Sequence, residues 1–417
     1  MAFGVAIPKI GEFLHSKPSA FGLAMTAGVV GTAIGSVCMG MLADRFGRKW
    51  MLVLPGLIFG LATLVTKFIS NIGQLILYRF IAGLGLGGAL PIALAFGSEY
   101  APSRFRKTFS AAMYAGVGTG GVIGGLFGAW FIPRFGWQSI FVLGGGLPVV
   151  IALLAAAGLP ESLEFLTAKD QDKARIRKIV AKITPTSARD GQVEFFPTEK
   201  KLPGLPVKNL FTQGRTPMTI LFWIGILACF WVAAVLVMWA PTFLHKTGAT
   251  VAQYSLAFAA FSFGAVVATV LVGRMMDAGN AFRILPIGFV IGFLSLVAFG
   301  RFAGSSFLAA ALLSVACGLF ILGTQGGLIA LVIVSYLADI RGTAVGWLYA
   351  IAKLGNIIAS TVGGYFLAAG WSVFRICSTQ APLALFCAVI ILIVERRVAA
   401  ANRYRSSLKA ERTLAGS

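Results

Sequence analysis

Residues 40–49 read GMLADRFGRK and join two long apolar stretches, 20–43 and 50–70. Each stretch is long enough to cross a hydrocarbon core of about 30 Å as a helix, at about 1.5 Å per residue. Between them, Gly47 suits a tight turn and Asp44 suits a helix cap. The basic residues at the end of the segment are typical of a loop at a membrane surface. This stretch therefore predicts two membrane-spanning helices joined by a short polar loop.

The same pattern continues along the chain. Further apolar stretches predict helices at 73–99, 107–131, 138–159, 217–243, 251–275, 284–301, 306–337, 344–368 and 379–395, which makes eleven in all. Hydrophobic residues make up 58% of the 417 residues and charged residues 12%, against about 25% charged in an average soluble protein. Because a bilayer solvates such apolar surface and water does not, the composition predicts an all-α polytopic membrane protein.

The net charge of +21 follows the predicted topology. If the 44–49 loop is cytoplasmic, most of the 35 Lys and Arg residues fall on the cytoplasmic side, in loops 100–106, 160–216, 274–283 and 338–343 and in the C-terminal tail. This is the bias that the positive-inside rule describes. Basic and aromatic residues do not interleave, so we expect no nucleic-acid partner. We expect the protein to lie in a bacterial inner (plasma) membrane.

The longest polar connection divides the chain into two halves. We expect an N-terminal helical bundle at 1–160, a cytoplasmic central loop at 161–216 with an amphipathic helix at 166–183, a C-terminal bundle at 217–395 and a cytoplasmic basic tail at 396–417. Residues 1–8 are apolar but span only about 12 Å as a helix. We interpret them as the outer end of an incomplete first helix, from a misplaced start codon or a truncated gene.

An internal repeat supports the two halves. Gly40 precedes Asp44 by four residues at one helix end, and Gly273 precedes Asp277 in the same way in the second half. Segment 40–49 resembles the signature loop of the major facilitator superfamily. The resemblance implies two pseudo-symmetric six-helix bundles, here with eleven full helices, that alternate between open states. It also implies a conformational latch made by Gly40, Asp44, Arg45, Gly47, Arg48, Asp277 and Arg341.

The segment Arg79 to Gly88 ends in GLGLGG and contains the spacing of a dinucleotide-binding loop. That interpretation fails because an apolar helix surrounds the glycines and no strand precedes them. The segment resembles instead the fourth-helix motif of the same superfamily. A buried arginine is costly in lipid, so Arg79 is expected to face a cavity or a partner, or else to bond backbone carbonyls.

Further segments resemble the aromatic acid:proton symporters of that superfamily. They are 83–91, SEYAP at 98–102, PESLEF at 160–165, GTQGG at 323–327 and IRGTAVGW at 340–347. The resemblance implies import of benzoate-like anions with a proton. Two departures concern the substrate: Ile92 stands where the group has asparagine, and Lys353 stands where it has arginine. All fourteen Asp and Glu fall in loops, tails or helix ends, and the group's aspartate-bearing motif belongs to the inner part of helix one.

These patterns predict a functional monomer that takes up a small aromatic or other organic acid anion together with protons. Arg79 and Lys353 would supply positive charge, and Gln325 and Asn356 would donate hydrogen bonds. The aromatic candidates, each of which could equally pack in the core or against lipid, are Tyr114, Trp239, Trp347 and Tyr349. The alternatives are an efflux antiporter of drugs or metabolites and a truncated paralogue that does not transport.

Cysteine and histidine usage argues against enzyme chemistry. The five cysteines show no CxxC spacing, and only two histidines, His15 and His245, occur in the chain. We therefore expect no metal site, no cofactor and no nucleophile–base pair.

Overall fold

The computed structural model describes residues 2–100, 106–168, 207, 210–212, 215–277, 281–336 and 338–396. The first half, called the N-half, contains helices α1 (Ala2–Leu14), α2 (Pro18–Phe46), α3 (Trp50–Val65), α4 (Ile72–Tyr100), α5 (Arg106–Phe135) and α6 (Gln138–Gly158), followed by the short α7 (Leu163–Ala168). The second half, called the C-half, contains α8 (Thr216–Lys246), α9 (Val251–Asp277), α10 (Ala281–Phe302), α11 (Phe307–Cys317), α12 (Gly323–Ser335), α13 (Ala338–Ala368), α14 (Val373–Gln380) and α15 (382–396).

Eleven segments of the described chain are long and apolar enough to cross a membrane. This confirms the eleven predicted helices. Most observed ends lie within a few residues of the predicted ones, as in Pro18–Ala43 for 20–43, whereas Val373–Arg396 begins six residues before the predicted 379. Of the predicted amphipathic helix at 166–183, only the last turn of α7 lies within the described residues, and the predicted tail lies almost wholly outside them.

The first helix is longer than residues 1–8 because α1 continues through Pro8 to Leu14. Proline removes one backbone hydrogen bond from a helix. Packing offsets this cost, since Val5, Ala6 and Ile10 have no exposed surface. Helix α1 thus forms part of the contact between the halves.

The helices run between two ends of the molecule. We call the end at which α2, α4, α6, α9, α12 and α15 finish the basic end, because it carries Arg48 and Lys49. The other, at which α1, α3, α5, α8, α10 and α13 finish, is the opposite end. The same bundle therefore presents two chemically different faces to the two sides of a membrane.

Within each half, glycines bring helix backbones into direct contact. In the N-half, Gly31 and Gly35 of α2 lie against the carbonyls of Phe80 and Leu84 of α4, and Gly60 of α3 lies against α6. Glycine and other small residues allow this approach, which drives helix association in lipid.

In the C-half, a π-helical turn, Gly318–Leu322, joins α11 to α12 and packs its first glycine against the carbonyl of Phe261 in α9. The Thr324 hydroxyl donates to the carbonyls of Phe320 at 2.5 Å and Ile321 at 3.1 Å. A π-turn leaves carbonyls without their usual helical partners, and such turns are frequent at functional sites. Thr324 therefore stabilises the irregular turn that precedes Gln325.

The hydrophobic cores show how the halves are arranged. At the opposite end one continuous core joins both halves; it includes Ile10 and Phe141 from the N-half and Trp239 and Phe243 from the C-half. Toward the basic end the described core residues separate into one cluster in the C-half and a small cluster around Met51 in the N-half. The halves are thus packed together at the opposite end and apart at the basic end.

Helix α5 meets α9 across this boundary through glycines. A Cβ built at Gly118, Gly125 or Gly128 would lie within 4 Å of Val266, Ala259 or Ser255 of α9. Nothing lies within 4 Å of a Cβ built at Gly116 or Gly120, so these two glycines make no close helix contact.

Candidate functional site

A cleft between the halves opens toward the basic end. At the opposite end, the Thr26 hydroxyl of α2 hydrogen-bonds Ser360 at 2.7 Å and Thr361 at 2.9 Å in α13. Farther along the same two helices, Val37 and Met41 are 61% and 63% exposed, and a Cβ at Gly346 would meet nothing within 4 Å. These helices therefore touch at one end and splay apart toward the other, forming two walls of the cleft.

Lys353 lies on the wall formed by α13. Positions 346, 350, 353, 357, 360 and 364 follow helical spacing and share one face. Ser360 and Gly364 on this face contact α2. Lys353 is seven residues from Ser360, which is about 10 Å along a helix. Its side chain consequently lies beyond the closed contact, beside the cleft.

Lys353 is partly buried, and in the described part of the chain its ammonium group has no hydrogen-bond or ion-pair partner. An unpaired charge within a membrane-spanning helix is costly and is found mainly at functional positions. The span around it, Thr343–Ala368, is otherwise apolar enough to cross a bilayer. The arrangement suits an anion that enters the cleft and supplies the missing partner.

Two amides accompany the lysine. Asn356 lies one turn from Lys353 on α13, and Gln325 lies in α12, which contacts α13. Both side chains are partly buried, and neither has a polar partner among the described residues. Amides in such positions can donate hydrogen bonds to a carboxylate or accept one from a phenolic hydroxyl.

The aromatic candidates differ in how far their side chains are buried. Trp347 stacks on Trp223 of α8 with ring centroids 5.4 Å apart, and both Trp347 and Tyr349 remain partly exposed. Trp239 has no exposed surface and packs against Gly363. A ligand in the cleft therefore cannot touch Trp239 in this conformation. Tyr114 lies in α5, and its side chain is outside the described part of the structure.

Arg79 lies inside the N-half. Its guanidinium carbon is 4.9 Å from the ring centre of Phe3 in α1 and 5.4 Å from that of Phe141 in α6, and Nη2 donates to the Thr66 hydroxyl at 3.2 Å. Arg79 therefore faces partners, a hydroxyl and two aromatic rings, as one of the two expectations had it, and no described contact shows the alternative bonds to backbone carbonyls. No described contact brings Arg79 and Lys353 together.

A polar network holds the loop after α2 at the basic end. Arg48 forms an ion pair with Glu99 at the end of α4, and Glu99 Oε2 accepts a hydrogen bond from the Ser162 hydroxyl at 2.7 Å. Glu161 Oε1 accepts from the backbone N–H groups of Lys49 and Ser162, both at 2.9 Å. The network thereby ties the 47–49 loop to the ends of α4 and α6.

Tyr100 completes this network by donating to the Glu161 carbonyl at 2.7 Å. Burial, and secondly the negative charge of Glu161, raise the pKa of Tyr100 to about 12. The hydroxyl therefore stays protonated and keeps its role as donor. Residue-by-residue reasoning missed Glu99, Tyr100, Glu161 and Ser162 as network members, although the SEYAP and PESLEF segments that contain them were a visible signal.

The predicted latch residues have mixed outcomes. Gly47 has φ +99°, and a Cβ there would lie 2.6 Å from Glu161 Oε2, so both the backbone and the space require glycine. At Gly40 no close helix approach exists because α2 and α13 diverge there. Arg45 is exposed, with its guanidinium 5.5 Å from the ring centre of Phe46. The structure does not describe the side chains of the remaining latch candidates, which are Asp44, Asp277 and Arg341.

Replacing Glu161 by alanine should lower the thermal stability of the purified protein, by a free energy of about 1–3 kcal/mol, because the buried N–H of Ser162 and the part-buried N–H of Lys49 would lose their acceptor. Glu161→Gln keeps one oxygen acceptor and should lose less. Thermal unfolding of both variants in the same detergent measures the difference. Equal loss in the two variants would contradict the role of Glu161 Oε1 as the shared acceptor.

The described residues contain no group of three or more His, Cys, Asp or Glu that could hold a metal ion. In the same part of the chain, every acidic residue lies at a helix end or in a connection, as predicted. Away from their ends, the described membrane spans therefore carry cationic and no acidic side chains.

Comparisons with known proteins agree with this architecture. The model of the family described as Major Facilitator Superfamily matches residues 1–248 and 221–414. The 4-hydroxybenzoate transporter PcaK of Acinetobacter baylyi is 32% identical over 396 residues, which are 94% of this chain and 86% of that protein. The gallate transporter of Pseudomonas putida is 31% identical over 88% of this chain and 81% of its own. The crystal structure of a D-xylose-proton symporter superposes with a TM-score of 0.71 at 18% identity, over 94% of this chain and 93% of that chain.

Proposed function

Because this chain belongs to the Major Facilitator Superfamily of membrane transporters, we propose that it moves a small aromatic acid anion across a membrane by alternating access. It is a multi-pass membrane protein and a transporter by family, not an enzyme. The observation that supports the proposal most directly is Lys353, a partly buried cation beside the cleft whose ammonium group has no polar partner within the described residues.

The proposed cargo is a benzoate-like carboxylate. The carboxylate would pair with Lys353, Asn356 and Gln325 would supply hydrogen bonds, and Tyr349 and Trp347 would contact the ring. The lysine ammonium group is a compact point charge, whereas an arginine guanidinium would make bidentate hydrogen bonds to both carboxylate oxygens. The names of relatives that transport 4-hydroxybenzoate and gallate support this class of cargo.

We further propose that the anion travels with a proton. A carboxylate and a proton together carry no net charge, so their passage avoids the cost of moving charge through a low-dielectric barrier. The resemblance of segments 83–91 and 340–347 to aromatic acid:proton symporters supports this coupling. The basic end would face the cytoplasm of a bacterial cell, and residues 1–160 and 217–395 would move as two units of one monomer.

Uptake of labelled 4-hydroxybenzoate tests the proposal. Cells without their own uptake of this acid, expressing the chain, should accumulate the label, and an uncoupler should abolish accumulation. Unlabelled benzoate should compete, whereas 4-hydroxybenzamide, which lacks the carboxylate, should not. Accumulation that persists after the proton gradient collapses would disprove proton coupling, and equal competition by the amide would disprove recognition through the carboxylate.

A further inference from the structure

One contact between the halves at the opposite end joins a carboxylate to a histidine ring. Glu12 Oε1 of α1, in the N-half, lies 3.4 Å from His245 Nε2 of α8, in the C-half. Glu12 Oε2 also accepts a hydrogen bond from Lys9 within α1 at 2.6 Å. The side chains of Glu12 and His245 are 50% and 37% exposed, so the solution on that side can reach the pair. The proposed transport site lies elsewhere, in the cleft.

Among the described residues at this end, Glu12 is the one acidic side chain. Besides Lys9, the ring of Tyr254 in α9 faces His245 edge-on at 5.9 Å, and Lys246 donates to the carbonyl of Leu367 at 3.3 Å. Trp137, directly before α6, packs its ring on Phe13 of α1 with ring centroids 5.5 Å apart. Among the described residues, the other charged side chains at this end are cations.

Helix α5 also packs on α1, and its charged residue at this end turns away from the pair. Arg134 lies over the ring of Trp130 at 4.5 Å and donates to the Trp130 carbonyl at 3.2 Å. The ionic link between Glu12 and His245 is therefore local to α1, α8 and α9.

Elsewhere in the contact between the halves, some buried hydroxyl groups have no hydrogen-bond partner in the described structure. The hydroxyls of Ser255 and Ser262 in α9 are buried without a hydrogen-bond partner in the described structure. Ser255 faces Gly128 of α5, which offers no polar side chain. A buried hydroxyl without a partner opposes closure, because water could satisfy it in an open state. A small added interaction can therefore shift the balance between the two conformations.

We propose that Glu12 and His245 form a gate that holds the opposite end closed and so helps to set the ratio of the two transport conformations. The gate rests on the alternating access of the proposed function. Opening the opposite end moves α1 away from α8 and breaks the pair. An exposed ion pair shifts such an equilibrium by about twofold to fivefold, which tunes transport without determining it.

His245 carries a charge only when it is protonated, so its contact with Glu12 is an ion pair only in that form.

Distances between spin labels on the two halves measure the ratio. Labels at Ser70→Cys and Ser305→Cys occupy exposed loops of the opposite end, and Cys38→Ser removes the exposed native thiol while four buried cysteines remain. In nanodiscs, Glu12→Gln and His245→Gln should each raise the open-to-closed ratio about twofold to fivefold. The double variant should add little, because both changes remove the same pair. Arg134→Gln, which removes a charge at the same end but no link between the halves, is the matched control.

Two populations with an unchanged ratio in both variants would overturn the gate alone. A single population that no variant shifts would overturn both the gate and alternating access.

Discussion

Replacing Lys353 by alanine is expected to reduce the initial rate of aromatic-acid uptake at least about tenfold at low substrate concentration. A hydrogen bond to a charged partner contributes about 1.5–3 kcal/mol, and about 1.4 kcal/mol is a tenfold change in affinity. The loss should appear mainly as a higher KM, because the lysine binds the anion before the conformational change. Uptake of the labelled acid over a range of concentrations measures both quantities.

Measuring the thermal stability of Lys353→Ala distinguishes a binding role of Lys353 from a structural one. In the described structure the ammonium group has no polar partner, so its removal should leave the thermal stability unchanged or raise it. Lys353→Arg keeps the charge and should retain most uptake. Normal apparent affinity in Lys353→Ala, at equal expression, would remove this residue from the site; lower stability would point to a structural role.

Replacing Gly83 by alanine is expected to disrupt the N-half. A Cβ at Gly83 of α4 would overlap the carbonyl oxygen of Gly28 in α2 and lie 3.0 Å from the Thr32 nitrogen. Both obstacles are backbone atoms, so the helices must separate. Overpacking of this kind costs about 1–3 kcal/mol or more. We expect a lower thermal unfolding temperature in detergent and lower expression in the membrane.

The control for this change is Gly144→Ala in α6, where a Cβ would meet nothing within 4 Å. Both variants add one methyl group to a glycine in a membrane-spanning helix, so intrinsic helix propensity changes equally. Gly144→Ala should unfold at or above the temperature of the parent protein. Equal unfolding temperatures for the two variants would show that α2 and α4 tolerate separation, contrary to the observed packing.

Much of the architecture was predictable because it depends on local composition. Membrane-spanning helices follow from uninterrupted apolar stretches of sufficient length, so the prediction for 217–243 and the observed Thr216–Lys246 differ by few residues. The candidate site was only partly predictable. The residue types at Lys353 and Asn356 suggested an anion site, but the same reasoning also selected Trp239, which the fold buries against Gly363.

The number of membrane-spanning helices and the superfamily were predictable from the chain alone, because apolar length and a short motif act within one segment of it. Which polar groups meet was not predictable in this way. Lys49 with Glu161, Thr26 with Ser360 and Glu12 with His245 join residues far apart in the chain. Their pairing depends on how whole helices pack, since glycine contacts within each half position the backbones, and the closed opposite end then brings the halves together. The loop at 40–49 was recognisable from its residues alone, but its attachment to Glu161 and the cleft beside Lys353 follow from that packing.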